Sequence, residues 1–361
     1  MPDASKLFPA DRRAMEAADR LLAAEGIRRD PNLDYLCGVR AESGALIAVG
    51  GAYKNTLRCF AVSKDHQGEG LMNTVLTHLL EHENEQGYFD VYVYTKTSAA
   101  RFFRDLGFYE IARVEDSFVF LENQPKGFAS YLARLTRETE DFCAARAAAP
   151  SPPSAPSAPV GAVVLNANPF TRGHQHLIEQ AARACSLLHL FLVSEDASLF
   201  PFAVRRALVR AGTAHLPNVL LHESGPYIIS SATFPSYFQK NEEDVSRGHA
   251  RLDIAVFRKI AAALSITERY VGEEPFSAVT NLYNAVMRAE LPKAGIACHI
   301  IPRLEEAGTP VSASHVRALL QAGRMDEVAP LVPKTTQDWL ESPAARPVLA
   351  RIAAAGDVRH H

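Results

Sequence analysis

The sequence predicts an α/β protein of two domains, the second built on a doubly wound, Rossmann-like parallel sheet. Two observations carry this. Past residue 160, apolar runs of strand length alternate with helical patterns: 163–165, a helix to Cys185, 188–193, a helix from Pro201 to His215, then 219–222. Such alternation is the pattern of parallel strands buried on both faces and joined by helical crossovers. Just before it, residues 147–159 read AAAPSPPSAPSAP. Prolines at that density favour an extended, semi-rigid spacer of about 3 Å per residue, which separates two folded parts. The division expected is 1–145 for the first domain, with a core at about 20–122, a linker at 146–160, a second domain at 161–332 and a helical appendage at 333–361.

Composition limits the functional classes. With 361 residues, 47% apolar and 22% charged, each domain has enough chain to bury a core. A formal net charge of -3 gives no basis for nucleic acid or a membrane surface as main partner. The five cysteines are scattered and odd in number, which argues against a disulfide framework or a metal set and fits a reducing cytoplasm. Asp11, Arg12 and Arg13 stand where a secretory leader needs an apolar run, and no stretch has membrane-spanning length.

Along the first domain, Met15, Ala18, Leu21 and Leu22 are spaced as a helix that stops at Gly26. Three strand-like runs at 35–40, 46–50 and 57–62 follow, separated by Glu42-Ser43-Gly44 and by Lys54-Asn55, and read as an antiparallel meander. The third leads into Gln67-Gly68-Glu69-Gly70 and a helix carrying Val75, Leu76, Leu79 and Leu80. A strand at 91–94, a helix at 99–106, Gly107-Phe108 and a last strand region complete it, and 123–143 read as a connecting helix. This order resembles the GNAT acetyltransferase superfamily. The resemblance implies that Gln67, Gly68 and Gly70 form the loop that holds a coenzyme A-like pyrophosphate. Two departures stand out: Met72 takes a Gly/Ala position, and Phe103 stands where many members have a tyrosine that protonates the departing thiolate.

In the second domain, residues 162–181 read AVVLNANPFTRGHQHLIEQA: a buried strand, an Asn-Pro turn and a helix opening on Thr171-Arg172-Gly173-His174. Gly173 allows close backbone approach, and the first N–H groups of the helix favour an anion. Downstream, Val311-Ser312-Ala313-Ser314-His315-Val316-Arg317 places two serines at a helix start, with an arginine one turn in. The two segments resemble the (His/Thr)-x-Gly-His and Ile-Ser-x-(Ser/Thr)-x-x-Arg signatures of nucleotidylyltransferases, a HUP-type fold. Between them, the strings from Tyr227 to Phe238 (YIISSATFPSYF) and from Arg269 to Phe276 (RYVGEEPF), with Thr280, Tyr283 and Asn284, resemble the citrate lyase ligase family.

That resemblance implies an enzyme that uses ATP, with Mg²⁺, to adenylate acetate and then acetylates the thiol of the CoA-like prosthetic group on the acyl carrier subunit of citrate lyase. It implies catalytic roles for His174, Thr171 and Lys240, ATP contacts from Asn168, Phe170, Gly173, Ser312, Ser314 and Arg317, and a prosthetic-group site at Gln67, Gly68 and Gly70. Several residues read two ways. Lys240 suits a phosphate or carboxylate ligand and equally a solvated lysine beside Glu242, Glu243 and Asp244; Asn166 and Asn168 suit a turn or a ribose or phosphate contact; Arg269, Glu273 and Glu274 suit a ligand edge or ion pairs. Phe276 and Tyr283 read as core or pocket wall, and the stretch around Trp339 shows no chemistry. Two other activities share these motifs: the same chemistry on the malonate decarboxylase carrier, and adenylylation of phosphopantetheine or nicotinamide mononucleotide.

Overall fold

The computed structural model describes residues 3–115, 117–148, 158–194, 198–228, 242–273 and 278–356. Lys240, the greater part of the 227–238 string, residues 274–276 and most of the Pro-rich stretch lie outside them. Two compact units divide the chain, the first taking residues up to Ser130 and the second starting at Tyr131; a helix farther along is shared, with the first unit holding its residues up to Ala255.

The first unit is a seven-stranded sheet in the order β1-β2-β3-β4-β5-β7-β6. Its elements are β1 (Ala4–Lys6), α1 (Arg12–Ala24), β2 (Tyr35–Arg40), β3 (Leu46–Tyr53), β4 (Thr56–Val62), α2 (Leu71–Glu85), β5 (Tyr92–Lys96), α3 (Ala100–Asp105), β6 (Tyr109–Val114) and β7 (Phe118–Glu122). The Asp11 carboxylate accepts from Ala14 N–H at 3.0 Å and so caps α1, which buries Ala14, Ala18 and Leu22 against one face of the sheet. On the other face Val75, Leu76 and Leu79 of α2 join Phe103 and Phe108 in a second core. The antiparallel β2–β3–β4 meander is as expected.

Two features go beyond the pattern: a short first strand pairs with β2, and β7 inserts between β5 and β6. Strands β4 and β5 run parallel but pair only at Thr56↔Tyr92 and Leu57↔Val93. Beyond that point Cys59 adopts φ 57° and the strands part.

The helix α4 (Gly127–Ala147) leads into the second unit. There β8 (Val160–Leu165), α5 (Arg172–Ala184), β9 (Leu187–Leu192), α6 (Phe202–Thr213), β10 (Val219–Glu223), α7 (Glu242–Ala263), β11 (Glu268–Gly272), α8 (Ala278–Glu290) and β12 (Ala297–Ile301) alternate. All five strands are parallel, in the order β10-β9-β8-β11-β12, so the chain winds outward in both directions from β8. That reversal makes the carboxyl end of β8 the place where such sheets take ligands.

A two-stranded hairpin, β13 (Glu305–Glu306) and β14 (Thr309–Pro310), then precedes α9 (Ala313–Gln321), α10 (Met325–Val328), α11 (Lys334–Glu341) and α12 (Arg346–Ala354). The last helices share a core with α9: Leu340, Val348 and Ile352 pack with Val316, Leu319 and Phe200. Among the described residues, no helix is long and apolar enough to cross a membrane.

Candidate active site

The loop after β8 delivers the first motif. Thr171 caps α5: its Oγ1 accepts from His174 N–H at 3.3 Å, while Thr171 N–H donates to His174 Nδ1 at 3.1 Å and the hydroxyl lies 2.9 Å from the same nitrogen. A backbone N–H only donates, so Nδ1 is an acceptor and the neutral ring carries its proton on Nε2. The ring keeps some surface but is densely surrounded by protein, and burial together with the Arg303 and Arg317 charges pushes its pKa down to about 4. His174 is therefore a neutral Nε2–H donor at pH 7.

The second motif meets the first through backbone. A Cβ built on Gly173 would lie 2.7 Å from the Val311 carbonyl oxygen, so glycine is required here by the neighbouring chain segment rather than by open space for a ligand. Val311 directly precedes Ser312, the N-cap of α9, whose Oγ accepts from His315 N–H at 3.1 Å and lies 3.1 Å from Ser314 Oγ. Two helix N-termini of 13 and 9 residues thus adjoin, both presenting unpaired N–H groups and partial positive charge.

Three of the residues expected to contact ATP are buried. Arg317 is 4% exposed, on the inward side of α9 with Val316 and Leu320, and its Nη1 donates to the Asn168 carbonyl at 2.6 Å. That bond braces the turn, and the Arg317 charge acts on His174. The Phe170 ring is wholly buried, pressed against Gly212, and its carbonyl accepts from Thr336 Oγ1 at 3.1 Å. Its backbone is buried with it. Asn168, also buried, is a turn-former: its Oδ1 accepts from Phe200 N–H at 3.0 Å.

Arg269 lies buried on β11 over the Phe257 ring, and Arg303, which no sequence signal singled out, donates from Nε to the Glu273 carbonyl at 2.7 Å. The influence of Arg303 on His174 depends on a contact between segments far apart in the chain.

The first unit carries a separate cleft of about 760 Å³ where β4 and β5 part. Gln67, Gly68 and Gly70 line its rim and Phe60, Lys96 and Phe103 its inner wall. Gly68 (φ 89°) and Gly70 (φ 78°) hold left-handed conformations, which open the loop and start α2 directly on its last residue. Phe103 is 1% exposed and meets Phe60, Phe102 and Phe108 edge-on.

Residues 160–340 match the citrate lyase ligase C-terminal domain, and residues 3–108 match the acetyltransferase (GNAT) family. The citrate (pro-3S)-lyase ligase of Escherichia coli (strain K12) is 40% identical over 303 residues, covering 82% of each chain. The chain belongs to the citrate lyase ligase family. A second relative of the same name, from Klebsiella pneumoniae, is 37% identical over 335 residues, 91% of this chain and 93% of its own. Among solved structures, Escherichia coli ElaA aligns over 34% of this chain and all of its own at 14% identity and a TM-score of 0.30. This family member therefore joins a GNAT fold to a ligase domain on a parallel sheet, and it shares an enzyme family with relatives that match it over most of their length.

Proposed function

We propose that this chain is an ATP-dependent ligase that adenylates acetate and passes the acetyl group to the thiol of a CoA-like prosthetic group on the acyl carrier subunit of citrate lyase. The chemistry sets the requirement. Acetate cannot acylate a thiol directly, because oxide would have to leave. An acetate oxygen attacks the α-phosphorus of ATP, the bond to the β-phosphate oxygen breaks, and pyrophosphate departs. The thiol then attacks the acetyl carbonyl, the C–O bond to AMP breaks, and the thiol proton passes to solvent.

The observation that carries the reading is the meeting of two helix N-termini at Gly173 and Val311 beside a neutral histidine whose proton is fixed on Nε2. Charge developing on the phosphoryl oxygens needs preorganised donors, which His174, Thr171 and the α5 terminus supply. Ser312, Ser314 and the α9 terminus are suited to the departing pyrophosphate, Asn168 and Phe170 shape the loop, and Arg317 braces it. Lys240 is the candidate for the acetate carboxylate. Mg²⁺ would come with the phosphates and neutralise part of their charge; such ions keep most of their water and take few protein ligands. The glycine loop of the first unit would hold the pyrophosphate of the prosthetic group.

Pyrophosphate exchange into ATP tests this. Acetate-dependent exchange by the purified chain, lost by a factor of about a hundred or more in His174→Ala, is the expected result. Exchange that depends on phosphopantetheine and ignores acetate would sink the ligase reading.

A further inference from the structure

Beneath the carboxyl ends of β8 and β9 lies a charge that neither motif contains. Arg205 of α6 is fully buried, in the same inward stripe as Leu208 and Val209. Its Nε donates to the Phe200 carbonyl at 3.0 Å, and its Nη1 reaches the Asn166 carbonyl at 2.9 Å, Asn166 Oδ1 at 2.8 Å and the Val193 carbonyl at 2.8 Å. A planar guanidinium holds its donors in a rigid fork that spans acceptors on three chain segments, a geometry that the compact ammonium of lysine matches less well. Asn166 and Val193 directly follow β8 and β9, and Phe200 precedes α6, so the three segments form the sheet edge where ligands bind.

The bracket also orients one side chain. With Oδ1 of Asn166 taken by Arg205, its Nδ2 donates one hydrogen to Ser198 Oγ at 3.0 Å and keeps a second on a side chain that is exposed. Asn168 ties the same loop to Phe200 N–H. An arginine kept from water is costly unless its surroundings compensate, and an apolar residue would fill this stripe without that cost. The charge stands under the loop that runs from β8 to the start of α5.

We propose that Arg205 is a positioning residue for nucleotide polyphosphate: it locks residues 166–168 and 198–200 into one bracket, presents the Asn166 amide to the anion, and adds positive potential from below. This rests on the adenylating role proposed above. The test uses the full chain with Arg205→Lys, Arg205→Met and Asn166→Ala, the last at an exposed side chain. In Arg205→Met the KM for ATP should rise about tenfold or more, the size of one charge-assisted hydrogen bond, and less in Arg205→Lys. The KM for acetate should stay within twofold, a split that general loss of folded protein would not produce. Asn166→Ala should raise the KM for ATP by itself and add little when combined with Arg205→Lys, because both act on one contact.

Wild-type ATP affinity together with an unchanged KM for ATP in Arg205→Lys and Asn166→Ala overturns this role alone. A wild-type chain that binds no ATP overturns both this role and the adenylating reading.

Discussion

At Gly173 two effects of opposite sign compete. Glycine inside a helix is less favourable than alanine by up to about 1 kcal/mol, so on propensity alone Gly173→Ala would stabilise α5. The added methyl, however, would stand 2.7 Å from a backbone carbonyl, which cannot rotate away as a side chain would. Overpacking of this kind costs about 1–3 kcal/mol, and it wins. Gly173→Ala should lower the urea midpoint and weaken nucleotide binding together, because the clash pushes apart the two helix starts proposed to hold the nucleotide; an unchanged midpoint would contradict the close approach. The cap at Ser312 was legible because a cap is a local i to i+3 event; Thr171 read as a donor at a helix start, and its capping of α5 came with the structure. The neighbour of Gly173 and the bond from Arg317 to Asn168 join distant parts of the chain, and no spacing rule reports them. Arg205 did leave a trace, a charged residue in the apolar stripe of a predicted helix, which marks burial but names no partner.

At the scale of elements, α4 is seated on the second sheet by a chain of polar groups. His189 of β9 and His222 of β10 lie 2.9 Å apart through Nδ1 and Nε2, and His222 Nδ1 donates to Glu138 of α4 at 2.8 Å. Burial, with His222 beside it, lowers the His189 pKa from 6.5 to about 3, and the His222 hydrogen bond lowers that of Glu138. Between pH 6.5 and 3 the unfolded chain binds a proton at residue 189 that the folded chain refuses, so stability falls as pH falls across that window. Glu138 acts in the same direction, its contribution being lost as pH drops through its lowered pKa. From pH 7 to 5 the His189 effect is on the order of 2 kcal/mol. Urea unfolding should show that loss in the wild type and a clearly shallower slope in His189→Phe; equal slopes would count against it. The helix and both strands were legible from their periodicity. The pairing was not, since each histidine alone reads as an ordinary strand residue.

For the whole molecule, the proposed function assigns the two half-reactions to different units, so mutation should separate them. The rim of the first cleft depends on Gly68 and Gly70, whose left-handed backbone costs about 1–2 kcal/mol for any residue with a Cβ. Gly68→Ala with Gly70→Ala should therefore raise the KM for the thiol acceptor several-fold while acetate-dependent pyrophosphate exchange stays near the wild-type rate. Phe103 sharpens the expectation. An acetyltransferase that expels coenzyme A needs an acid for the departing thiolate, whereas a ligase that receives a thiol does not, and a phenyl ring buried among Phe60, Phe102 and Phe108 supplies none. Restoring the hydroxyl in Phe103→Tyr should leave the ATP- and acetate-dependent rate within a few-fold of wild type and confer no acetyl transfer from acetyl-CoA. A variant that gained robust acetyl-CoA-dependent transfer would show the cleft to be a dormant acetyltransferase site, and the division of labour between the two units would have to be redrawn.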